Sequence, residues 1–351
     1  MTSERIPVAV LGATGAVGQR FLSLLEGHPW FEVRELQASA RSAGRRYREA
    51  CEWLVPAPRP AAAELEVREL GEPLEAMLVF SALEAGVAGE AEERLARAGK
   101  LVVSNASAWR MDPRVPLIVP EVNAGHLELL EAQPWAGGIV TNPNCSTIGL
   151  ALALAPLAQR FGLECVSVVS LQAISGAGTP TPQTLDLLAT VVPHIPGEEE
   201  KLESETFKIL GELVGTAGEG DLEVHPACFE LGAQCNRVPV ADGHTLCVVL
   251  ELDGEFEREE LLSAWRDFSA TPQELELPLA PEPVVVVHED EASPQPALHR
   301  DAGDGMAIHV GRLRQRNTRQ WQFTTLSHNT VRGAAGGAIL VAELALATGR
   351  L

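Results

Sequence analysis

A short apolar run, Ile6-Pro7-Val8-Ala9-Val10-Leu11, breaks into Gly12-Ala13-Thr14-Gly15-Ala16-Val17-Gly18 and then a helical stretch from Gln19 to Glu26. Strand, glycine turn and helix in that order constrain the fold more than any other feature, because a parallel sheet is built from such units. Further strand candidates follow at Glu32–Ala38, Met77–Ala82, Lys100–Ser104 and Gly138–Thr141, with a helical stretch at Ala88–Ala98. This alternation predicts a doubly wound parallel sheet of the Rossmann type. A glycine turn there lets the backbone approach a pyrophosphate, while the next helix offers free N–H groups and a positive dipole end. Gly12, Thr14, Gly15, Ala16, Val17 and Gly18 are therefore candidate cofactor residues, the alternative being a turn required by packing alone.

The end of the second strand refines the cofactor. An NAD site places Asp or Glu there for the ribose hydroxyls. This chain instead reads Ala38-Ser39-Ala40-Arg41-Ser42-Ala43-Gly44, so Ser39, Arg41 and Ser42 suit a 2′-phosphate and NADP. A solvated loop arginine is the competing reading of Arg41.

The character of the chain changes after residue 144. Leu163–Ala173, Val224–Pro239, Thr245–Leu252, Pro283–His288, Met306–Leu313 and Gln320–Leu326 read as strands, with helices near Thr184–Val191, Glu199–Val214 and Arg258–Phe268. A second, α+β domain on a larger antiparallel or mixed sheet is expected over 145–328. The first, NADP-binding domain covers 1–144 and is completed by a closing helix within 329–351. A length of 351 residues with 46% apolar content suits two such cores.

The formal net charge of −21 opposes binding to nucleic acid or anionic lipid. Anionic ligands must be held by local cations, mostly arginine, since only Lys100, Lys201 and Lys208 are lysines. Arg312, Arg314, Arg316 and Arg319 have a strand period and read as a solvated face beside a turn near Asn317, not as a nucleic-acid patch. No apolar run reaches membrane-spanning length and no secretory leader is visible, so a cytoplasmic location is expected. The cysteines at 51, 145, 165, 228, 235 and 247 show no spacing for a disulfide framework or a metal site.

One cysteine stands out. Asn142-Pro143-Asn144-Cys145-Ser146-Thr147 puts Cys145 directly before the apolar run Ile148–Leu157, a buried helix by composition. A thiol at a helix start is expected to have a lowered pKa and to serve as a nucleophile, the alternative being an inert, half-buried thiol. In Asn236-Arg237-Val238-Pro239-Val240-Ala241-Asp242-Gly243-His244-Thr245, a strand end and turn bring together an anion-binding arginine and a proton-moving histidine.

Gly12–Gly18, Ala38–Gly44, Ser104–Asn123, Asn142–Thr147, Ser175–Thr181, Glu198–Leu210, Asn236–Thr245 and Asn329–Gly337, in that order and over nearly the whole chain, resemble the aspartate-β-semialdehyde dehydrogenases of the archaeal and fungal type. The resemblance implies NADPH-dependent reductive dephosphorylation of L-aspartyl 4-phosphate to L-aspartate 4-semialdehyde, a step toward lysine, threonine and methionine. It implies Cys145 as nucleophile, His244 as acid and base, and Gln172 orienting the acyl intermediate. Arg237 would pair with the substrate carboxylate and Glu198 with its amine, while Arg110, Asn144 and Lys201 hold phosphate. Ser175, Gly176 and Asn329 would face the nicotinamide. A homodimer or homotetramer joined through the second domain is also implied. Taken locally, Glu198 and Lys201 read as a solvated helix face with Lys201 paired to Glu205, Arg110 as a loop arginine and Gln172 as a strand-end polar residue. Glu84 departs from the family, which commonly has proline there.

Three other readings compete. A short-chain acyl-CoA reductase such as malonyl-CoA reductase keeps the thiol, histidine and NADPH but gives Glu198 no amine to bind. N-acetyl-glutamyl-phosphate reductase has Gly-Cys-Tyr-Pro where this chain has Asn144-Cys145-Ser146-Thr147. A noncatalytic NADP-binding sensor needs no proton shuttle.

Overall fold

The computed structural model describes residues 5–178, 189–216 and 221–351. The first sheet contains β1 (Ile6–Leu11), β2 (Phe31–Ala38), β3 (Arg45–Arg46), β4 (Glu66–Glu69), β5 (Leu78–Ser81), β6 (Leu101–Ser104) and β7 (Gly138–Thr141). Their order is β3-β4-β2-β1-β5-β6-β7, and only the β3–β4 pair is antiparallel. Successive side chains alternate between two buried faces. Val8, Val10, Phe80, Val103 and Val140 share a core with the helices Ala16–Leu25 and Gly336–Ala347. Ala9, Leu11, Val79, Val102 and Ile139 pack instead with Leu95 and Ala96 of the helix Ala85–Arg97. The expected doubly wound parallel sheet is present, and the closing helix packs into it.

The strand order reverses at β1, flanked by β2 on one side and β5 on the other. Ligands of such sheets bind beyond the carboxyl ends of the strands at that switch. Gly12 occupies it with φ +67°, where a Cβ would lie 2.5 Å from the Ala82 carbonyl oxygen. At Gly18 a Cβ would lie 2.3 Å from the Gly12 oxygen, so that glycine is needed to seat the helix on the turn.

The second sheet contains β8 (Leu163–Gln172), β11 (Glu230–Arg237), β12 (His244–Leu252), β13 (Val285–Val287), β14 (Ile308–Gln315) and β15 (Gln320–Ser327). Its order is β11-β8-β12-β15-β14-β13, with β11–β8 and β13–β14 parallel and the other pairs antiparallel. The helix Cys145–Phe161 supplies Ile148 and Leu150–Leu154 to its core, beside Val166, Val248 and Trp265.

Several expected elements shift. Val224–Pro239 is not one strand but two, β10 (Glu223–His225) and β11, because residues 226–229 leave the ladder. The helix expected over Glu199–Val214 spans Glu198–Ile209, and the chain then enters β9 (Glu212–Val214), which pairs with β10. The helix expected near Thr184–Val191 lies mostly outside the described residues. Arg312, Arg314 and Arg316 are exposed around buried Leu313, as a solvated strand face requires. No helix among the described residues is long and apolar enough to cross a membrane.

Candidate active site

Three pieces of scaffold meet where β7 ends and the helix Cys145–Phe161 begins. The first is that helix start. Asn144 is its N-cap, and its side-chain oxygen accepts the Ser146 N–H at 2.9 Å. Cys145 follows, half-buried, with its Cβ so close to Gly333 that a Cβ there would lie 2.8 Å from it.

The second piece is one end of the mixed sheet. Arg237 at the end of β11 lies opposite Gln172 at the end of β8, and Thr245 of β12 lies opposite Leu171. The register therefore sets Gln172, Arg237 and His244 side by side. His244 is fully buried. Its Nε2 lies 3.2 Å from Cys145 Sγ, and its Nδ1 accepts the backbone N–H of Ala173 at 3.0 Å. An imidazole nitrogen that accepts an N–H carries no proton, so the neutral ring has its proton on Nε2 and presents it to the sulfur. Arg237 is buried and donates to the Ala173 carbonyl at 2.7 Å, but among the described residues it has no carboxylate partner. A buried guanidinium left in that state is an anion site.

The third piece is the helix Glu198–Ile209, whose Glu198, Lys201, Glu205 and Lys208 repeat at the spacing of one helical face. Glu198 receives Asn144 Nδ2 at 2.9 Å, Lys201 Nζ at 3.0 Å and Gln172 Nε2 at 3.2 Å. Lys201 pairs with Glu198 and not with Glu205, correcting the local expectation. Glu205 is buried and turned inward, where its two oxygens accept Arg110 Nη1 at 2.9 Å and the Asn144 N–H at 2.6 Å. Lys208 donates to the carbonyls of Arg110, Asp112 and Val115, each at 2.8 Å, which fixes the loop carrying Arg110.

The electrostatics differ from the expectation for a helix-start thiol. Burial, then the Glu198 charge, push Cys145 up to about 12, outweighing the opposing pull of Arg110 and Arg237. Burial, then Arg237, push His244 down to about 3. The resting pair is thus a neutral thiol and a neutral imidazole. Burial alone would raise Glu198, but hydrogen bonds from Asn144, Lys201 and Gln172 hold it below the usual carboxylate value.

On the cofactor side, Gly15 is exposed and caps the Ala16–Leu25 helix without any side-chain bond to its N–H groups. Unlike Gly12 and Gly18, it is not required by packing, since the nearest atom to a Cβ there is 3.4 Å away. Open backbone N–H groups at a helix start beside a side-chain-free position fit a dinucleotide phosphate. Ala16 and Val17 open that helix, and Thr14 is half-buried, its carbonyl accepting Gln19 Nε2 at 3.2 Å. Ser39 and Arg41 are exposed beyond β2, as a 2′-phosphate site needs, whereas Ser42 is buried and its N–H turns back to the Ser39 carbonyl at 2.9 Å. Asn329 donates to Ser175 Oγ at 2.9 Å and accepts the Gly243 N–H at 2.8 Å, tying the Ser175–Gly176 loop to the turn before His244. No group of three or more His, Cys, Asp or Glu side chains among the described residues is arranged to hold a metal.

Sequence reasoning missed Lys208, the Ala173 N–H and the inward role of Glu205. The i+7 and i+10 spacing from Glu198 was the available signal for the two side chains.

Family models described as "Semialdehyde dehydrogenase, NAD binding domain" and "Semialdehyde dehydrogenase, dimerisation domain" match residues 7–130 and 154–332. Aspartate-semialdehyde dehydrogenase of Archaeoglobus fulgidus is 46% identical over 346 residues, covering 97% of this chain and 98% of the relative. That of Trichophyton rubrum is 42% identical, covering 99% of each. Among solved structures, aspartate semialdehyde dehydrogenase with NADP from Candida albicans superposes with a TM-score of 0.89 at 39% identity, covering 99% of this chain and 100% of that one.

Proposed function

This chain belongs to the aspartate-semialdehyde dehydrogenase family, and from that premise we propose how its own residues carry the reaction. It is an NADP-dependent oxidoreductase that converts L-aspartyl 4-phosphate to L-aspartate 4-semialdehyde. The carrying observation is the Cys145 Sγ to His244 Nε2 contact of 3.2 Å beside a buried Arg237 that has no carboxylate partner among the described residues.

As the Cys145 sulfur attacks the acyl carbon, the thiol proton passes to the departing phosphate, the carbon–oxygen bond breaks, and inorganic phosphate leaves with the electron pair. A thioester on Cys145 remains. NADPH, when bound, supplies the hydride that reduces it. His244 presents its Nε2–H to the oxygen that gains charge, and then to the thiolate released as the thiohemiacetal anion collapses and the semialdehyde departs, after which Cys145 regains its proton. Arg237 holds the substrate carboxylate, and Glu198 holds its amine. Gln172, fixed by Glu198, orients the acyl group. Arg110, Lys201 and Asn144 surround the phosphate, and Gly12, Thr14, Gly15, Ala16, Val17, Gly18, Ser39, Arg41, Ser42, Ser175, Gly176 and Asn329 hold the cofactor. In this reading residues 1–144 and 329–351 form the cofactor unit of a cytoplasmic enzyme of lysine, threonine and methionine formation. Residues 145–328 form the catalytic and dimerisation unit. Dimerisation is supported by the open face of the second sheet, where Val169 is 39% exposed and Cys247 is also exposed.

The test is the reverse reaction, reduction of NADP by aspartate semialdehyde. It is expected to require inorganic phosphate and to vanish in Cys145→Ala. A requirement for coenzyme A in place of phosphate would transfer the site to acyl-CoA reduction, and no turnover with either would refute both.

A further inference from the structure

We propose that Glu205 is a positioning residue that couples the phosphate-binding arginine to the nucleophile. The proposal rests on the roles given above to Arg110 and Cys145. Glu205 is 1% exposed, and its two side-chain oxygens serve different parts of the site. Oε1 accepts Arg110 Nη1 at 2.9 Å, and Oε2 accepts the main-chain N–H of Asn144 at 2.6 Å. Asn144 is the N-cap from which Cys145 projects. One carboxylate therefore sets the spacing between the guanidinium that meets phosphate and the turn that aims the sulfur.

The rest of the neighbourhood leaves that carboxylate little freedom. Arg110 Nη2 donates to the Asn105 carbonyl at 2.7 Å, and Lys208 holds the Arg110, Asp112 and Val115 carbonyls from the same helix face. Glu198, two turns earlier, grips the Asn144 side chain while Glu205 grips its backbone. A pair kept only for stability would need the Arg110 contact alone. Division of the two oxygens between the loop and the N-cap is what a positioning role adds.

Glu205→Gln separates the two roles, because the amide nearly matches the carboxylate in shape but offers one acceptor oxygen. Either Arg110 Nη1 or the Asn144 N–H then faces an NH2 group, donor against donor. In the phosphate-dependent reverse reaction, the KM for phosphate is expected to rise by about ten- to a hundredfold, the range for losing a hydrogen bond to a charged group. The KM for semialdehyde should move far less. Since Glu205 acts on phosphate through Arg110 and on the sulfur through Asn144, adding Glu205→Gln to Arg110→Met should raise the KM for phosphate far less than Glu205→Gln does alone, while kcat still falls. If Glu205→Gln does not fold, Glu205→Asp keeps the charge and withdraws it by one methylene, and the same selective rise is expected. An unchanged KM for phosphate, an equal rise in both KM values, or independent effects of the two substitutions on the KM for phosphate would overturn the proposal. Absence of phosphate-dependent turnover in the wild type would instead overturn the function on which it rests.

Discussion

Gly176→Ala is the smallest change that should disable this site without disturbing its fold. Gly176 follows Ala173 in the loop beyond β8 and donates its N–H to the Ala173 carbonyl at 3.1 Å. It needs no left-handed conformation, so its lack of a side chain is a matter of space. A Cβ there would lie 2.6 Å from Arg237 Nη1, 2.9 Å from His244 Cε1 and 3.0 Å from His244 Nε2. To reach the 3.4 Å of ordinary contact, the guanidinium must retreat by about 0.8 Å and the imidazole by about half as much. Neither can do so freely, because Arg237 is bonded to the Ala173 carbonyl and His244 is held between the Ala173 N–H and Cys145. A displacement approaching 1 Å in a catalytic group costs about 10²-fold. That loss is expected in kcat/KM for the phosphate-dependent oxidation of aspartate semialdehyde, with little change in Tm. Gly125→Ala is the control, since a Cβ there meets nothing within 4 Å. A Gly176→Ala enzyme with wild-type kcat/KM and an unchanged melting curve would refute the steric argument and the claim that Arg237 and His244 are immobile.

Burial pushes Glu92 up to about 7, while Ser104 Oγ donates to one carboxyl oxygen and the other has no hydrogen-bond partner among the described residues. Its folded value lies above the ordinary 4.5, so its contribution to stability is complete below pH 4.5 and is lost as pH rises through about 7. Glu92→Gln should remove that loss, roughly 3 kcal/mol by pH 8 in urea unfolding; equal pH dependence in both proteins would refute it. Because the Glu198 charge adds to burial in raising Cys145, Glu198→Gln should speed alkylation of Cys145 by iodoacetamide at neutral pH while raising the KM for semialdehyde. Slower or unchanged alkylation would show that Glu198 does not act on the thiol.

The first sheet was legible because each of its signals is local. Val8–Leu11 alternates between two buried faces, and Gly12 and Gly18 are needed for the turn and for the helix seated on it. The closing helix was visible in the Ala- and Leu-rich run after Asn329. The second half of the chain was less legible: β10 and β11 read as one strand because β10 has only three residues, and residues 226–229 carry too weak a break to separate them. At the site, residue types were legible and partners were not. Lys201 has Glu205 at i+4 and Glu198 at i−3, and local spacing favours the first. Arg110, 95 residues away, claims Glu205 instead, and only the fold brings it there. The thiol pKa failed for a related reason. A helix start lowers it, but burial and Glu198, supplied by distant segments, act in the opposite sense and prevail.

The same long-range assembly explains why Arg237 has no carboxylate partner among the described residues. Arg110 has Glu205, Lys201 has Glu198, and Arg332 has Glu121 in a fully buried pair. Arg237 has the Ala173 carbonyl and, among the described residues, no carboxylate at all. Burying a guanidinium in that condition costs stability, and burial duly lowers its pKa. In a chain with 48 acidic residues and 27 basic ones, partners for an arginine are not scarce. The strand register that sets Arg237 opposite Gln172, one step from His244, keeps it where no side-chain carboxylate among the described residues reaches. A substrate carboxylate is the group that completes it, so the energy withheld from folding is released on binding, beside the sulfur that reacts.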